Sequence, residues 1–360
     1  MMKASNLWKR RDKPSVWGNA MDKVDRLVEG WVRDGLLPGA VLDITVSNRC
    51  RFQKSYGLYS DGTREHPIQL NTMFDIASLT KVTVTLPTIL VLVAQGKLSL
   101  DSSVQAYLPA FRHPQVTLRH LLMHASGLPP DLPYLPRKAA RPSLIEEILA
   151  QELLFQPGKD KLYSDLGMIL LGNIVERVSG GPLDRFVKQH IFDPLDMRHT
   201  VFNPGSKFRD RIAATEQVDG TYVIGEVHDE KSFHLGGVTG SAGLFATADD
   251  LARYAAWWLQ PEQWDIVPPS LMRETTAAPV RGRGLGWEVK HDPANVPSCG
   301  ESWPTGSFGH TGFTGTSLWV EPEQGISVVF LTNAVHLGRN TKIRELRPIL
   351  HEAVLSSYLS

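Results

Sequence analysis

A serine and a lysine stand three positions apart in the stretch Ser78-Leu79-Thr80-Lys81. On a helix, positions i and i+3 share a face, so the hydroxyl and the amine can touch. The apolar run over residues 82–94 predicts a buried helix, in which the amine loses solvation and its pKa falls. Such a lysine can accept the serine proton near neutral pH, which predicts a nucleophilic serine. The alternative is a helix-terminal serine beside a solvated lysine, because the pattern alone also arises by chance.

Two further motifs carry groups that can move protons or hold a substrate. Tyr163-Ser164-Asp165 opens a predicted helix, and a tyrosine hydroxyl near an ammonium group can act as acid or base. His310-Thr311-Gly312 precedes a strand predicted over residues 315–320, where small residues let a substrate backbone approach. The N–H groups of such an edge can complete an oxyanion hole. Read singly, Tyr163 is also an ordinary aromatic at a loop–helix junction and His310 a hydrogen-bonded loop histidine.

The predicted elements place these motifs in a mixed fold. Residues 16–33 have apolar side chains at helical spacing, and residues 40–46 and 51–56 read as strands joined by the turn 47–49. Residues 104–202 are mostly helical, strands follow at 221–224, 284–289, 315–320 and 326–332, and residues 342–358 form a closing helix. This order predicts an α/β fold of the α+β type, an antiparallel sheet flanked by the terminal helices with an inserted all-helical subdomain.

The domain boundaries follow from the same order. We predict a flexible N-terminal extension over residues 1–15, an α/β sheet domain formed by residues 16–85 and 220–360, and an all-helical subdomain over residues 86–219. The helix at 82–94 contains a proline and is too short to span a bilayer. No apolar segment follows the basic N-terminus, so no signal peptide is predicted and we expect a cytoplasmic location.

Composition narrows the classes of partner. The 360 residues include 38 Lys and Arg and 38 Asp and Glu, so the net charge is zero and gives no global attraction to nucleic acid or to an anionic membrane. The two cysteines, Cys50 and Cys299, lack metal-ligand spacing and are read as reduced thiols. We expect no cofactor and no metal.

Longer strings around the motifs carry a family resemblance. An SxxK element, a tyrosine triplet and a K/H-T-G triplet occur in that order, within FDIASLTK, YSDLGMILLG and GHTGFTGTSLWVEP. TLRHLLMHASGLP and GGVTGSAGLFATADDLARYA match as well. The chain resembles the β-lactamase and penicillin-binding-protein superfamily over nearly all of residues 16–358. It looks most like the class C-like serine hydrolases, the branch with carboxypeptidases, esterases and a muramoyl-peptide amidase.

The resemblance implies roles for individual residues. Ser78 would be the acylated nucleophile, Lys81 and Tyr163 would share the proton transfers, and the backbone N–H groups of Ser78 and Phe313 would form the oxyanion hole. Substrate contacts would come from Asp165, His310, Thr311 and Gly312. The fold would be a five-to-seven-stranded antiparallel sheet with the active site in the groove beside the helical domain.

Two positions depart from that family pattern. Its β-lactamases and peptidases usually have a lysine, which holds a substrate carboxylate, where His310 stands, and an asparagine where Asp165 stands. A histidine is only partly charged near pH 7, so affinity for anionic substrates should fall as pH rises through its pKa. An asparagine can donate to a substrate carbonyl, whereas an ionised aspartate cannot. Both differences favour an esterase or a specialised amidase over a β-lactamase.

Other chemical residues receive structural interpretations. Tyr59 repeats the tyrosine triplet before the nucleophile and has no assigned role, and His124 is expected to brace a helix end. A metal site is an alternative for His228, Asp229 and His234, but no HExxH-like spacing occurs. A substrate-rim loop is favoured, because relatives have a similar VHD string there. The glycines around residues 236–243 are read as tight turns, and no GxSxG motif occurs.

The predicted function is an acyl-enzyme serine hydrolase of the esterase or cell-wall-peptide type. Its substrate would be a small ester, β-lactam or peptidoglycan fragment, with no nucleic acid partner and no membrane span. Three alternatives stay open: a β-lactamase, a penicillin-binding sensor that is acylated without turnover, and a catalytically silent interaction module. The intact Ser78, Lys81 and Tyr163 argue against the last.

Overall fold

The computed structural model describes residues 17–47, 50–139, 143–277, 280–292 and 296–359. The predicted N-terminal extension and most of the turn at 47–49 lie outside these residues. The strands of the described chain are β1 (Gly39–Val46), β2 (Cys50–Ser60), β3 (Glu65–Pro67), β4 (Phe74–Asp75), β5 (Val201–Phe202), β6 (Gln217–Val218), β7 (Thr221–Tyr222), β8 (Leu244–Ala246), β9 (Glu288–Val289), β10 (Phe308–Thr311), β11 (Ser317–Glu321) and β12 (Ile326–Thr332).

The helices match the apolar periodicity of the sequence closely. They are α1 (Trp17–Arg33), α2 (Ala77–Ala94), α3 (Val104–Tyr107), α4 (Leu118–Leu122), α5 (Leu144–Leu149), α6 (Asp165–Ser179), α7 (Leu183–Val187), α8 (Glu230–His234), α9 (Ala248–Leu259), α10 (Pro269–Ala277) and α11 (Ile343–Leu359). Both terminal helices, the helix that follows Tyr163 and the buried helix that follows Ser78 are therefore confirmed.

Seven strands form one antiparallel sheet in the order β3-β2-β1-β12-β11-β10-β9. The first strand pairs with the last, with Ala40 opposite Thr332 and Val46 opposite Ile326. Strand β1, near the start of the described chain, and β12, near its end, thus lie side by side in the centre of the sheet. Most of the chain between them forms the other layers of the fold. This arrangement confirms the predicted antiparallel sheet.

Alternate residues of the central strands face two different layers, as the period of two in a strand requires. Leu42 of β1 and Phe330 of β12 point to the layer formed by α1 and α11. Val41 and Leu331 point to the opposite layer, which contains α2, α6 and α9. Because both faces are covered, every residue of β1 is buried.

The helix α2 is longer than the predicted segment 82–94. A 3₁₀ turn, Ala77–Leu79, and a π-helical segment, Lys81–Thr85, precede its α-helical part, Leu86–Ala94. In the described chain, α2 is the one helix that is long and apolar enough to cross a membrane, judged by length and composition alone. However, 83% of it is buried inside the molecule, as in a core helix of a globular fold.

The range 86–219, predicted as all-helical, also contains the two-residue strands β5 and β6. Strand β8 pairs with both β5 and β4, forming a three-stranded sheet. Phe74 of β4 lies opposite Ala246 of β8, and Phe202 of β5 lies opposite Leu244. This small sheet ties the helical range to the segment that immediately precedes Ser78.

His310 and Thr311 precede β11, as the sequence predicted, and they also lie in a strand of their own, which the sequence analysis missed. Both residues lie within β10, which pairs with β11 as one arm of a hairpin. The sequence pattern did not predict this strand because it contains Gly309, and glycine is unfavourable in strands. The structure requires glycine there, since a Cβ at this position would lie 2.4 Å from the Trp319 side chain.

Candidate active site

Ser78 lies at the head of α2, in the 3₁₀ turn that follows β4. The preceding residue, Ala77, has a positive φ of 47°, an uncommon conformation for a residue with a Cβ. The buried Asp75 holds this bend by accepting hydrogen bonds from the N–H groups of Ala77 at 2.8 Å and His228 at 2.6 Å. The nucleophile is therefore presented on a strained turn that a buried carboxylate stabilises.

The Lys81 side chain is fully buried and touches the nucleophile. Its Nζ lies 2.9 Å from Ser78 Oγ and donates to the carbonyl oxygen of Ser241, also at 2.9 Å. The i, i+3 contact predicted from the SxxK spacing is therefore present. The turn around Ser241, read from the sequence only as a tight backbone turn, supplies the second hydrogen bond.

Asp165 forms an ion pair with Lys81, with Oδ1 2.7 Å from Nζ. Burial by itself would lower the pKa of the Lys81 ammonium, but the charges of Asp165 and Tyr163 outweigh burial and raise this pKa above its ordinary value. The expectation of a lowered pKa was therefore wrong, because it considered burial without the carboxylate. The surroundings of Lys81 therefore favour its ammonium form.

The carboxylate of Asp165 also faces a second lysine, Lys231. Its Oδ2 lies 3.4 Å from Nζ of Lys231, which pairs in turn with Asp131 at 2.9 Å and Asp229 at 3.1 Å. Asp165 therefore lies between two buried ammonium groups. Its contacts in the structure are to lysines, and its predicted role in substrate binding stays a prediction.

The Tyr163 ring lies near Lys81 and near the side chains of His124, His310 and Arg283. Lys81 Nζ lies 5.1 Å from the centre of this ring, and the His124 ring lies 4.4 Å away, centre to centre. The backbone N–H of Ser164 donates to His124 Nδ1 at 3.1 Å. The bracing role predicted for His124 is therefore present. The helix end that it braces is the start of α6, which follows Tyr163.

The loop between β10 and β11 packs directly against the nucleophile segment. Thr314 Oγ1 donates to the carbonyl oxygen of Asp75 at 2.7 Å, and Thr316 Oγ1 donates to that of Ile76 at 3.1 Å. The buried Arg347 of α11 donates to the carbonyl oxygens of Gly312 at 2.5 Å and Gly315 at 3.3 Å. These contacts bring the predicted oxyanion-hole donor at 313 and the nucleophile into neighbouring segments.

Phe313 and Thr311 lie at the rim of this loop. The Phe313 side chain is 49% exposed and stacks on the His228 ring, 5.7 Å between centres. Thr311 is half-buried at the end of β10. The oxyanion role of the Ser78 and Phe313 N–H groups stays a prediction that this geometry supports.

His310 is buried, with 3% of its surface exposed. Its Nδ1 is hydrogen bonded to the Thr311 carbonyl oxygen at 2.8 Å. Burial, and then the positive charges of Arg283 and Lys81, hold the pKa of His310 well below its ordinary value. This direction argues against the expectation that His310 is partly charged near pH 7, and the pH-dependent recognition of anions derived from that charge stays a prediction.

The structure adds residues that the sequence analysis missed. Arg283 places its guanidinium carbon 5.6 Å from the centre of the Tyr163 ring. Lys231, Asp75 and Arg347 hold parts of the site through contacts between distant segments. The only sequence signal near Arg283 is the small-residue stretch over residues 282–286, which has no motif form.

The remaining interpretations concern residues outside the catalytic contacts. Tyr59 is buried in β2, where it stacks on His66 with 5.0 Å between ring centres. His228 Nε2 lies 3.3 Å from a carboxylate oxygen of Glu216. Among the residues that the structure describes, no group of three or more His, Cys, Asp and Glu side chains is arranged to hold a metal ion.

Comparisons with known proteins agree with this geometry. A family model described as Beta-lactamase matches residues 24–350. The N-acetylmuramyl-L-alanine amidase of Bacillus subtilis (strain 168) is 34% identical, over 87% of this chain and 81% of that protein. An Escherichia coli (strain K12) protein, provisionally named a D-alanyl-D-alanine carboxypeptidase, is 33% identical over 88% of this chain and 82% of its own length.

The solved structures show the same fold. A class C β-lactamase superposes with a TM-score of 0.74 at 21% identity, covering 94% of this chain and 98% of that one. With the family model spanning nearly the whole chain and the serine and lysine in contact at the head of α2, the chain belongs to the β-lactamase family and is a serine hydrolase.

Proposed function

We propose that this serine hydrolase cleaves the amide bond between a muramyl group and L-alanine in peptidoglycan fragments, through an acyl-enzyme on Ser78. The observation that supports an acyl-enzyme is the contact between Ser78 Oγ and Lys81 Nζ at 2.9 Å. The bond is suggested by the name of the Bacillus subtilis relative, which aligns along most of both chains. The substrate is a small molecule, as its relatives' names imply.

The proton transfers follow from the charge state of Lys81. Because the ion pair with Asp165 favours the ammonium form of Lys81, we assign the Tyr163 oxygen as the acceptor of the Ser78 proton. Ser78 Oγ then bonds to the substrate carbonyl carbon, and the proton passes to the leaving amine as the C–N bond breaks. Water subsequently attacks the Ser78 ester, and its proton returns to Oγ by the same route.

The loop between β10 and β11 supports this reaction. The N–H groups of Ser78 and Phe313 are the donors that we assign to the oxyanion of the tetrahedral intermediate. Preorganisation comes from the threonine contacts of Thr314 and Thr316 and from the hydrogen bonds of Arg347. An oxyanion hole of this kind needs fixed donors, and these contacts fix the loop.

A second candidate is a D-alanyl-D-alanine carboxypeptidase, favoured by the Escherichia coli relative. Both candidates break an amide bond by transferring an acyl group to a serine, so the same catalytic residues serve either bond. β-Lactamase activity is less favoured, because a buried histidine, His310, stands where the resemblance leads us to expect a lysine. Stable acylation by a β-lactam without product would indicate a penicillin-binding sensor.

The test is a substrate panel run with the wild type and Ser78→Ala. We expect release of the peptide from N-acetylmuramyl-L-alanyl-D-isoglutamine, slower hydrolysis of nitrocefin than of p-nitrophenyl acetate, and a loss on the order of 10³-fold or more in the variant. Released amines are quantified by chromatography. Release of D-alanine from a D-Ala-D-Ala peptide without muramyl cleavage would select the second candidate, and a Ser78→Ala variant with wild-type activity would contradict both.

A further inference from the structure

One histidine, His228, contacts both segments that carry the donors assigned to the oxyanion hole. Its backbone N–H donates to Asp75 Oδ2 at 2.6 Å, and Asp75 Oδ1 accepts from the N–H of Ala77, the residue before Ser78. The His228 ring stacks on the Phe313 ring, with 5.7 Å between centres and 21° between planes. His228 is buried, with 4% of its surface exposed. The N–H groups of Ser78 and Phe313 thus share a common neighbour.

The residues on either side of Phe313 are anchored by hydrogen bonds, whereas Phe313 itself depends on its ring. The Gly312 carbonyl oxygen accepts from the buried Arg347, and Thr314 Oγ1 donates to the backbone of the nucleophile segment at 2.7 Å. Among the described residues, none accepts a hydrogen bond from the Phe313 N–H, and the side chain is half-exposed. The stack on His228 therefore restrains the residue whose N–H is assigned to the oxyanion.

A carboxylate holds one edge of the His228 ring. Nε2 of His228 lies 3.3 Å from Oε1 of Glu216, and Arg339 Nε donates to Glu216 Oε2 at 2.8 Å. Burial raises the pKa of Glu216, but its contacts with His228 and Arg339 outweigh burial and lower this pKa to about 2. Glu216 is therefore a carboxylate at neutral pH, and it fixes the orientation in which the imidazole meets Phe313.

The backbone of His228 is held separately from its ring. Arg137 Nη2 donates to the His228 carbonyl oxygen at 3.4 Å, and the Arg137 guanidinium lies over the Phe233 ring, 4.3 Å from its centre. The backbone N–H is bonded to Asp75. Neither bond uses the imidazole, so a change of side chain at position 228 tests the ring alone.

We propose that the His228 ring, held by Glu216, positions the Phe313 N–H and so keeps the two donors of the oxyanion hole at a fixed separation; this inference rests on the acyl-enzyme reaction of the proposed function. Such donors must lie about 2.7–3.1 Å from the developing oxyanion, so a small displacement of Phe313 weakens its stabilisation. The oxyanion forms only during the reaction, so the displacement lowers the rate more than it weakens substrate binding. In this role His228 is a positioning residue and transfers no proton.

The first test compares two substitutions of His228 on p-nitrophenyl acetate, each variant checked for folding by circular dichroism. We expect His228→Ala to lower kcat/KM roughly tenfold or more, because Phe313 loses its stacking partner. His228→Phe keeps an aromatic ring in the stack and should stay within about threefold of wild type. An equal loss in both variants would mean that the imidazole acts as an acid or a base, and would overturn the proposal.

Phenylboronic acid reports on the oxyanion hole without turnover. Its boron takes Ser78 Oγ as a fourth ligand, the serine proton passes to Tyr163, and one boron hydroxyl stands for the oxyanion. Titration calorimetry should show Kd rising in His228→Ala by about the factor by which kcat/KM falls, since both measure complementarity to the transition state. A lower kcat/KM with unchanged Kd would indicate a loss of active protein, with the donors still in place, and would contradict the proposal.

A double-mutant cycle tests whether His228 acts through Phe313. Phe313→Ala removes the other half of the stack and keeps the backbone N–H. If the His228 ring acts only through the Phe313 ring, adding His228→Ala to Phe313→Ala should change kcat/KM by no more than about twofold. Losses that multiply independently in the double variant would show that His228 acts by another route.

His66→Ala is the matched control. The His66 ring stacks on Tyr59 with 5.0 Å between centres, and its Nε2 lies 2.7 Å from Asp61 Oδ2, so this site repeats the stacked histidine beside a carboxylate. Its strand, β3, forms one edge of the sheet, and β10 lies near the other edge. Both kcat/KM and the Kd of phenylboronic acid should stay within about twofold of wild type. A loss as large as that of His228→Ala would remove the special role of His228.

The measurements separate this inference from the proposed bond. Hydrolysis of p-nitrophenyl acetate without cleavage of the muramyl amide would contradict the proposed bond alone, because the ester still tests the oxyanion hole. Binding of phenylboronic acid without hydrolysis of any substrate would contradict the proposed function, while the Kd of the His228 variants would still decide the role of the ring. A Kd that is the same in wild type and His228→Ala would overturn that role.

Discussion

At the scale of single residues, the unusual feature of the site is an aspartate between two buried lysines. Asp165 lies 2.7 Å from Lys81 and 3.4 Å from Lys231. The charges of Asp229, Asp165 and Asp131 outweigh the burial of Lys231 and raise the pKa of its ammonium. An asparagine, which relatives of β-lactamase type usually have at position 165, would leave Lys81 with less negative charge beside it. Asp165 thus favours the protonated form of the catalytic lysine.

We expect Asp165→Asn to shift the pH profile of kcat/KM to lower pH. Asp165 raises the pKa of Lys81, so its neutralisation lowers that pKa, and the limb governed by the coupled Lys81–Tyr163 pair moves with it. The measurement is kcat/KM for a neutral ester across the pH range.

Asp131→Asn is the control for this change. Asp131 pairs with Lys231 at 2.9 Å and is half-exposed, and no ion pair joins it to Lys81 among the described residues. Its profile should stay close to that of the wild type. Superimposable profiles for wild type and Asp165→Asn would show that Asp165 does not set the charge of Lys81.

At the scale of elements, the loop between β10 and β11 links three parts of the fold. It is hydrogen bonded to the nucleophile segment through Thr314 and Thr316, and to α11 through Arg347. Burial and the nearby Arg344 lower the pKa of Arg347 to about 9. The closing helix, whose place in the sequence is far from Ser78, therefore contributes to the geometry of the active site.

We expect Gly312→Ala to lower kcat by roughly 10²-fold, the cost of displacing an oxyanion-hole donor. A Cβ at this position would lie 2.2 Å from Thr316 Oγ1 and 2.4 Å from the Ile76 carbonyl oxygen. The loop must therefore move away from the nucleophile segment. Steady-state kinetics on p-nitrophenyl acetate provide the measurement.

Gly205→Ala is a suitable control for Gly312→Ala, because nothing lies within 4 Å of a Cβ there and its φ is −68°. It should retain wild-type kcat. If Gly312→Ala also retained wild-type kcat while remaining folded, the loop between β10 and β11 would have no part in stabilising the transition state.

At the scale of the whole molecule, one sheet separates two apolar layers with different tasks. The layer formed by α1 and α11 closes the outer face of the sheet. The opposite layer includes α2, which contains the catalytic serine and lysine, and α6, which follows Tyr163. Large-to-small changes in the first layer should therefore affect stability more than chemistry.

We expect Leu42→Ala to lower the free energy of unfolding by about 2–5 kcal/mol, the range for removing a buried leucine side chain. Leu42 is fully buried in β1 on the face toward α1 and α11. Because it lies on the face of the sheet opposite to α2 and α6, kcat/KM should stay within about twofold of wild type under folding conditions. Denaturant unfolding and steady-state kinetics check the two parts.

Leu58→Ala, in the neighbouring strand β2, is the matched control, since Leu58 is 43% exposed. Its free energy of unfolding should change by no more than about 0.5 kcal/mol. A large fall in kcat/KM of folded Leu42→Ala would contradict the separation of the two layers.

Local patterns in the sequence were sufficient for the main elements and for the catalytic pair. The contact of Ser78 with Lys81 follows from the i, i+3 geometry of a helix, and the terminal helices and central strands follow from apolar periods of 3.6 and 2. These features depend on residues close to one another in the chain. The family resemblance added the role of Tyr163 in proton transfer and the place of the active site in the groove beside the helical domain.

The tertiary structure alone decided the charges of the site. Lys81 contacts Asp165 and the Ser241 carbonyl oxygen only because segments far apart in the sequence come together. The charge of Arg283 reaches His310 for the same reason. Burial lowers the pKa of any lysine or histidine, but for Lys81 a carboxylate outweighs it, whereas for His310 further positive charge adds to it. The sign of each shift depends on which charges share the buried volume, and a one-dimensional pattern does not contain that information.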